Sequence, residues 1–240
     1  MFRKTIEFND WMDDWTTPAP STYQRSDSLA FQRWFKFKEA FSPSLVKEVI
    51  ASLPQQPKQI LDCFGGSGTT AVVARMLGIP STLIEVNPFL ADVIETKLAQ
   101  YSTYDLPYEA CKILAASSNV VVSLELLRGR LPPTFIEPGK NERWIFSSNV
   151  ALAIEQLRLA INQVESVVVQ RMFRVALGSI LIDVSNVRID GKARRYRTRW
   201  KERTIDAEYV RRVFVEAVAK MVEDIGVCQS TCRVTSSCFL

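Results

Sequence analysis

A short apolar stretch that runs directly into a glycine-rich turn constrains this chain more than any other feature. Residues 57–70 read "PKQILDCFGGSGTT". The pattern predicts a short buried strand that ends at Asp62, a turn through the glycines, and a helix from Thr69. Glycine has no Cβ, so backbone N–H groups can approach a ligand closely, and the helix N-terminus points its positive end at the same place. The turn is therefore a candidate ligand site.

The pattern repeats once downstream. The stretch "STLIEVN" predicts a second strand, and "PFLADVIETKLAQY" predicts a helix that carries Pro88 in its first turn. A strand, turn, helix, strand and helix in this order are the start of a doubly wound parallel sheet. Two strands cannot be the whole of such a sheet. In a nucleotide-binding unit, an acid at the end of the second strand, here Glu85, accepts hydrogen bonds from ribose hydroxyls.

The residues around the turn narrow the choice of nucleotide. The stretch "GGSGTT" does not fit the dinucleotide pattern G-x-G-x-x-G, and the G-K-[ST] of a Walker loop is missing. An acid at the tip of the first strand would repel a pyrophosphate. Asp62 suits a ligand with a positive sulfonium or ammonium group, which indicates S-adenosylmethionine.

The stretches "ILDCFGGSGTTAVVARMLG" and "LIEVNPFLADVIETKL" resemble the cofactor-binding half of amino-group DNA methyltransferases, which methylate the exocyclic nitrogen of adenine or cytosine. Cys63 stands where the family usually has proline. The upstream stretch "FKEAFSPSLVKEVI" resembles the family's methionine-side motif. The resemblance implies S-adenosylmethionine as cofactor, double-stranded DNA as partner, and a role in DNA methylation and restriction–modification. The odd number of cysteines, without a secretory signal, indicates reduced thiols and a cytoplasmic location. The cofactor-binding residues that it implies are Phe41, Ser42, Pro43, Asp62, Phe64, Gly66, Ser67, Gly68, Thr69, Thr70, Glu85 and Asn87.

The expected fold class is α/β, with a partial Rossmann-like methyltransferase sheet and a large helical insertion or second domain. We expect an N-terminal arm over residues 1–33 and the cofactor-binding βαβα unit over residues 34–101. A mostly helical target-recognition region follows over residues 102–226, and a Cys-rich tail over residues 227–240.

The family's catalytic tetrapeptide is a polar residue, two prolines and an aromatic residue, and it is not found. The stretch "LPPTF" begins with Leu131, which cannot accept a side-chain hydrogen bond, and "DLPY" has Leu106 where a proline is needed and follows the second helix too closely. The catalytic residues are therefore unknown, and weak or no turnover is expected. We expect a truncated or frameshifted product that departs from the family near Gly226.

Two other functions stay open. The chain could be a non-catalytic cofactor- and DNA-binding remnant, or a subunit whose partner supplies the tetrapeptide. A methyltransferase for RNA or a small molecule is the weaker alternative, because the form of the glycine turn is typical of the DNA enzymes.

A basic stretch, "SNVRIDGKARRYRTRWKER", carries interleaved aromatic residues. Cations neutralise phosphates and aromatic rings stack on unpaired bases, whereas a solvated charged loop is the plain alternative. Next to a methyltransferase motif, the stretch predicts DNA contacts, mainly to phosphates. The predicted DNA-binding residues are Arg188, Lys192, Arg194, Arg195, Tyr196, Arg197, Arg199 and Trp200.

Composition excludes several classes of protein. The chain has no histidine and five cysteines, and the cysteines near its end lack the paired spacing of a zinc site, so no metal is expected. No apolar run reaches the roughly 18 residues of a membrane span, and no signal pattern opens the chain. The net charge of +4 is too small to indicate nucleic acid by itself.

Overall fold

The computed structural model describes residues 28–102, 105–191, 193–228 and 236–239. These residues form two compact units, one made of residues up to 103 together with those from 220 onward, and the other of residues 104–219. Each unit combines helices with one small sheet. The α/β class expected from the sequence is therefore present at this level.

The elements follow the predicted order in the first unit. The helices are α1 Pro43–Ala51, α2 Thr69–Met76, α3 Pro88–Leu98, α4 Leu106–Asn119, α5 Leu124–Arg130, α6 Ser148–Ile161, α7 Val167–Ile180 and α8 Ala207–Cys228. The strands are β1 Ile60–Asp62, β2 Ser81–Ile84, β3 Val187–Asp190, β4 Ala193–Tyr196 and β5 Ser236–Phe239. Short 3-10 turns cover Gln32–Trp34 and Trp200–Glu202.

The first unit is built on a parallel sheet of order β1-β2-β5. Strand β1 pairs in parallel with β2, and the register sets Asp62 opposite Leu83. Leu83, Ala71 and Ile94 form one buried cluster, so α2 and α3 cover the same face of β2. This packing brings the ends of β1 and β2 together, as the βαβα pattern predicts.

The end of the chain contributes a strand to the sheet of the first unit. Ser236–Phe239 form β5, which pairs in parallel with β2 from Ser81↔Ser236 to Ile84↔Phe239. The second edge of β2 offers unpaired N–H and C=O groups, and a short extended segment satisfies them. The cysteines at 232 and 238, and most of residues 1–33, lie outside the residues or side chains that the structure describes.

The second unit, residues 104–219, is mostly helical. In α7 the buried residues Met172, Phe173 and Ala176 recur at helical spacing and form one apolar stripe. The Phe173 ring lies 6.2 Å from the ring of Phe214 in α8. Strands β3 and β4 form an antiparallel hairpin between α7 and α8 along the chain.

The described part of the chain contains no single helix that is long and apolar enough to cross a membrane. The pair α4 and α5 passes the length and composition test only when taken together, and it is bent by 107° at its break. Within the same described residues, no group of three or more metal-ligating side chains is found.

Candidate functional site

Asp62, the last residue of β1, fixes the entry to the glycine turn. Its Oδ1 accepts a hydrogen bond from the backbone N–H of Phe64 at 3.0 Å, and its Oδ2 accepts one from the Thr70 hydroxyl at 2.6 Å. The carboxylate thereby joins the strand end, the turn and the first residues of α2. Asp62 therefore has a structural role as hydrogen-bond acceptor for the turn, in addition to any role toward a ligand.

Three glycines make the turn because side chains would not fit there. Gly66 and Gly68 have φ angles of +54° and +82°, in the left-handed region that favours glycine. A Cβ at Gly65 would lie 2.9 Å from Ile94 Cδ1. The Gly68 N–H donates to the Gly65 carbonyl at 2.8 Å, which closes the turn.

Glu85 connects the second strand to the same turn. It is 8% exposed, and its Oε2 accepts from the Gly66 N–H at 2.7 Å while its Oε1 accepts from the Asn87 N–H at 2.8 Å. A carboxylate oxygen has two lone pairs, so each oxygen retains one acceptor position beyond its backbone partner. This geometry is compatible with the predicted role of Glu85 as a ribose-binding acid.

Asn87 and Ser42 begin helices, so their positions have a structural reason. The Asn87 side chain accepts from the N–H groups of Phe89 at 3.0 Å and Leu90 at 3.4 Å, as an N-cap of α3. Ser42 accepts from the Leu45 N–H at 3.3 Å and caps α1, with the buried Pro43 at its first position. Phe41 is half-buried beside this cap.

Of two aromatic residues that the sequence analysis did not select, one packs on the glycine turn and the other on Phe89 of α3. A Cβ at Gly66 would lie 3.2 Å from the Phe37 ring, so this ring packs directly on the turn. The Phe35 ring lies 5.1 Å from the ring of Phe89 in an edge-to-face arrangement. The alternating stretch "RWFKFKEAF" was the available signal, because alternate aromatic side chains on an extended segment share one face.

Apolar side chains at the carboxyl ends of β1 and β2 are uncovered. Phe64 is 89% exposed and Val86 is 86% exposed, and Leu61 and Ile84 are also exposed. Large apolar side chains at this exposure, beside a polar turn and two carboxylates, are typical of a surface that a ligand covers.

A buried lysine lies beneath the turn. Lys97 in α3 is fully enclosed, and its Nζ donates to the Ser67 carbonyl at 2.6 Å. Burial lowers the pKa of Lys97 from 10.5 to about 7. Arg75 donates to the carbonyls of Lys97 and Leu98, which fixes the end of α3 against α2. The backbone of the glycine turn is thus held from below as well as from the strand ends.

We expect Gly68→Ala to destabilise the fold and weaken any ligand at the turn. An alanine at φ +82° adopts the left-handed region, and its Cβ would lie 3.0 Å from Ile94 Cγ1. The backbone strain and the contact should together cost about 1–3 kcal/mol in the free energy of unfolding, measured by urea denaturation. Gly226→Ala is the matched control, because no atom lies within 4 Å of its Cβ in the last turn of α8. Gly226→Ala should raise the free energy of unfolding by up to about 1 kcal/mol. Changes of the same sign in both variants would contradict this prediction.

The sequence candidates for the catalytic tetrapeptide lie at ordinary structural positions. Asp105 is the N-cap residue of α4 and Pro107 lies in its first turn, so "DLPY" begins a helix. Tyr108 is 67% exposed. The stretch that starts at Leu131 follows the end of α5. Neither position ends a strand of the parallel sheet.

The predicted DNA-binding residues cluster on and after the β3–β4 hairpin. Arg188, Arg194, Arg195 and Arg199 are exposed, while Lys192 lies outside the described residues. Arg197 differs from them, because its guanidinium donates to the Ser185 carbonyl at 3.2 Å and the Ile182 carbonyl at 3.0 Å.

The aromatic residues of the basic stretch form a cluster with one another. The Tyr196 and Trp200 rings lie 4.7 Å apart, and Trp144 stacks edge-on against Trp200 at 4.8 Å. Tyr196 and Trp200 are half-buried in this cluster, which leaves part of each ring accessible.

The glycine turn, its two acids and the upstream helix cap lie within a recognised family pattern. Residues 5–96 match the family of N6/N4 DNA methylases. This match and the similarity to named Type II methyltransferases confirm the resemblance to the amino-group DNA methyltransferases seen in the sequence. The match also extends into the segment expected to be an N-terminal arm.

Two curated relatives show how much of the chain is shared. The Type II methyltransferase M.AvaI of Nostoc sp. (strain PCC 7120) is 30% identical over 185 residues, which cover 73% of this chain and 35% of the relative. The Type II methyltransferase M.BsoBI of Geobacillus stearothermophilus is 28% identical over 182 residues, which cover 73% and 33%. The chain therefore spans about a third of the length of these relatives. No solved structure matches the chain.

Proposed function

We propose that this chain carries the S-adenosylmethionine-binding and DNA-binding parts of an amino-group DNA methyltransferase. The observation that carries the proposal is the turn held between Asp62 and Glu85, whose glycines leave no room for side chains. The match of residues 5–96 to the N6/N4 DNA methylases and the similarity to Type II methyltransferases support the same cofactor and a DNA substrate. On this proposal, the parallel β1–β2 pair is the start of a Rossmann-like sheet.

The residues around the turn fit the parts of the cofactor by their chemistry. When bound, S-adenosylmethionine supplies an electrophilic methyl group on a positive sulfonium. Asp62 offers a nearby negative charge, Glu85 retains acceptor capacity for ribose hydroxyls, and the exposed Phe64 and Val86 offer apolar surface for an adenine ring. The buried Ser67 hydroxyl has no partner among the described residues and is a further polar group at the turn.

If the proposed reaction takes place, the catalytic tetrapeptide comes from residues outside this sequence. The sequence contains no polar-Pro-Pro-aromatic stretch, and the chain spans about a third of its relatives. In the described sheet, β1 pairs with β2 along one edge and with no other described strand. An unpaired edge beside the turn could receive a strand that carries the tetrapeptide, from the same chain or from a second subunit. The Type II methyltransferases among the relatives favour a role in restriction–modification.

The alternative is a cofactor- and DNA-binding subunit without catalysis of its own. The same edge of β1, which pairs with no other described strand, and the absence of the tetrapeptide from this sequence favour it. Mixing the chain with a candidate subunit that carries the tetrapeptide separates the two. Methyl transfer from radiolabelled S-adenosylmethionine to DNA only in the mixture supports the subunit, and transfer by the chain alone contradicts it.

The test of the cofactor proposal is calorimetric titration of the purified chain with S-adenosylmethionine. We expect a dissociation constant on the order of micromolar for the unchanged chain. Asp62→Asn removes the negative charge and keeps an oxygen for the Phe64 N–H, so binding should weaken at least about tenfold, or 1.4 kcal/mol. Glu48→Gln, an exposed acid on α1, is the matched control and should bind like the unchanged chain. A folded chain that does not bind, or equal binding by both variants, would contradict the proposal.

A further inference from the structure

The β3–β4 hairpin is an exposed ribbon of two antiparallel strands. Its strands are joined by two residues at 191 and 192, and Gly191 has a φ angle of +59°, as a tight hairpin turn requires. Val187 is buried at its base, whereas Arg188, Ile189 and Asp190 are exposed. Four residues of antiparallel strand extend about 13 Å.

The base of the ribbon is held firmly within its own unit. Ser185 and Asn186 are buried, the Asn186 N–H donates to the Ile145 carbonyl at 2.8 Å, and the Arg197 N–H donates to the Asn186 carbonyl at 2.9 Å. Arg203 adds hydrogen bonds to the carbonyls of Ser185 and Asp183. The base of the ribbon is thus fixed by buried residues and by hydrogen bonds to the backbone of its own unit.

One face of the ribbon places two arginines directly opposite each other. The register pairs Arg188 with Arg195, and Asp190 shares their face. Asp190 Oδ2 lies 3.8 Å from Arg188 Nη2 and 3.6 Å from Arg195 Nε. Like charges opposite each other destabilise a strand pair, and exposed ion pairs at these distances recover little of that cost. The fold gains nothing from this arrangement, so the arginine pair indicates an anionic partner.

The charge of the surrounding segment favours nucleic acid as that partner. Residues 186–203 contain eight basic and two acidic residues, an excess larger than the net charge of +4 of the whole chain. The major groove of DNA is about 12 Å wide and admits a two-stranded ribbon. Arginine binds the O6 and N7 atoms of guanine through two hydrogen bonds, and this is the commonest specific contact in that groove.

We propose that the β3–β4 hairpin lies in the major groove of DNA and that Arg188 and Arg195 read guanine bases. This inference rests on the proposed DNA methyltransferase function and adds the element that gives sequence preference. Asp190 lies between the two guanidinium groups and orients them. Arg194, on the other face of the ribbon, and Arg199, beyond its base, contact phosphates.

The test is selection of duplexes from a randomised DNA library by the full chain, followed by binding titrations. The unchanged chain should enrich G·C pairs at defined positions. Arg188→Gln and Arg195→Gln should each lower the discrimination at one position by about 5- to 100-fold, with a smaller loss in affinity for other sequences. Arg199→Gln should weaken binding to all sequences alike and lower the salt slope by about one. Arg130→Gln, an exposed arginine at the end of α5, is the control and should change neither.

The outcomes separate this proposal from the proposed function. If the Arg188 and Arg195 variants weaken binding to all duplexes alike, these residues contact phosphates only and the base-reading proposal is wrong. A chain that binds S-adenosylmethionine but not DNA overturns the hairpin proposal and leaves the cofactor site standing. Binding to polyglutamate as tight as to duplex DNA would show an acidic protein as the partner and also overturns it.

Discussion

Asp224→Ala should destabilise the chain by about 3–5 kcal/mol, the cost of removing one partner from a buried ion pair. Asp224 is 3% exposed, and its carboxylate accepts from the Phe31 N–H at 2.9 Å, the Trp34 indole N–H at 2.7 Å and the Arg33 guanidinium at 2.5 Å. The hydrogen bond with Asp224 also raises the pKa of Arg33 above its ordinary value. Without the carboxylate, the N–H groups of Phe31 and Trp34 lose a buried acceptor, and Arg33 keeps only its contact with the more exposed Glu223. Residues 31–34 then lose most of their attachment to α8.

Glu223→Ala is the matched control, because Glu223 is the adjacent residue and contacts the same Arg33 at 2.8 Å. Its side chain is 50% exposed, so its removal should cost less than about 1 kcal/mol. Urea unfolding gives the two free energies, and hydrogen exchange of residues 29–34 locates the loss. Similar losses in the free energy of unfolding for both variants would show that burial of the carboxylate does not determine its contribution to stability.

The Asp224 network also shows where sequence reasoning stops. Asp224 and Phe31 are 193 positions apart, and "VEDIG" in a helical pattern indicates only a solvated polar face. A pairing at that separation leaves no local periodicity. The glycine turn was predictable by contrast, since Asp62, the glycines and the capping Asn87 act on neighbours within a few residues of themselves.

The basic stretch was predictable in part. Its charge follows from the residues of the stretch and its candidate partner from the methyltransferase motif in the same chain, but the pairing of Arg188 with Arg195 depends on the strand register. Gly191 between two short stretches was a hairpin signal that the sequence analysis did not use. Arg197 donates to the carbonyls of Ile182 and Ser185, whereas the neighbouring arginines are exposed. Residue type and spacing could not distinguish Arg197 from these neighbours, because the difference depends on contacts that only the fold creates.

Lys97→Met should change how the stability of the chain depends on pH. In the sequence, Lys97 is a basic residue near a helix end, which normally is solvated there. In the fold, burial lowers its pKa from 10.5 to about 7. The unfolded chain therefore holds this proton up to pH 10.5, while the folded chain releases it near pH 7. Between those values the unfolded state binds more protons, so stability contributed at this site rises with pH.

The contribution of Lys97 to the free energy of unfolding should rise by on the order of 4 kcal/mol between pH 7 and pH 10, at about 1.4 kcal/mol for each pH unit. Below pH 7 both states hold the proton, and the full cost of burying the charge is present. Lys97→Met removes the titration, so the difference in unfolding free energy between the two proteins should shift in favour of the unchanged chain as pH rises through this window. Loss of the hydrogen bond to the Ser67 carbonyl lowers the stability of the variant at every pH and does not alter the slope.

Urea unfolding at half-unit steps from pH 6 to pH 10 measures this difference directly. Lys58→Met, an exposed lysine in the loop before β1, is the control and should follow the unchanged chain across the range. Parallel curves for the Lys97 variant and the unchanged chain would mean that Lys97 stays charged in the fold, with water or a rearranged turn at its Nζ. Because Nζ donates to the Ser67 carbonyl in the middle of the glycine turn, a rearranged turn at Nζ would change the geometry of the candidate cofactor site.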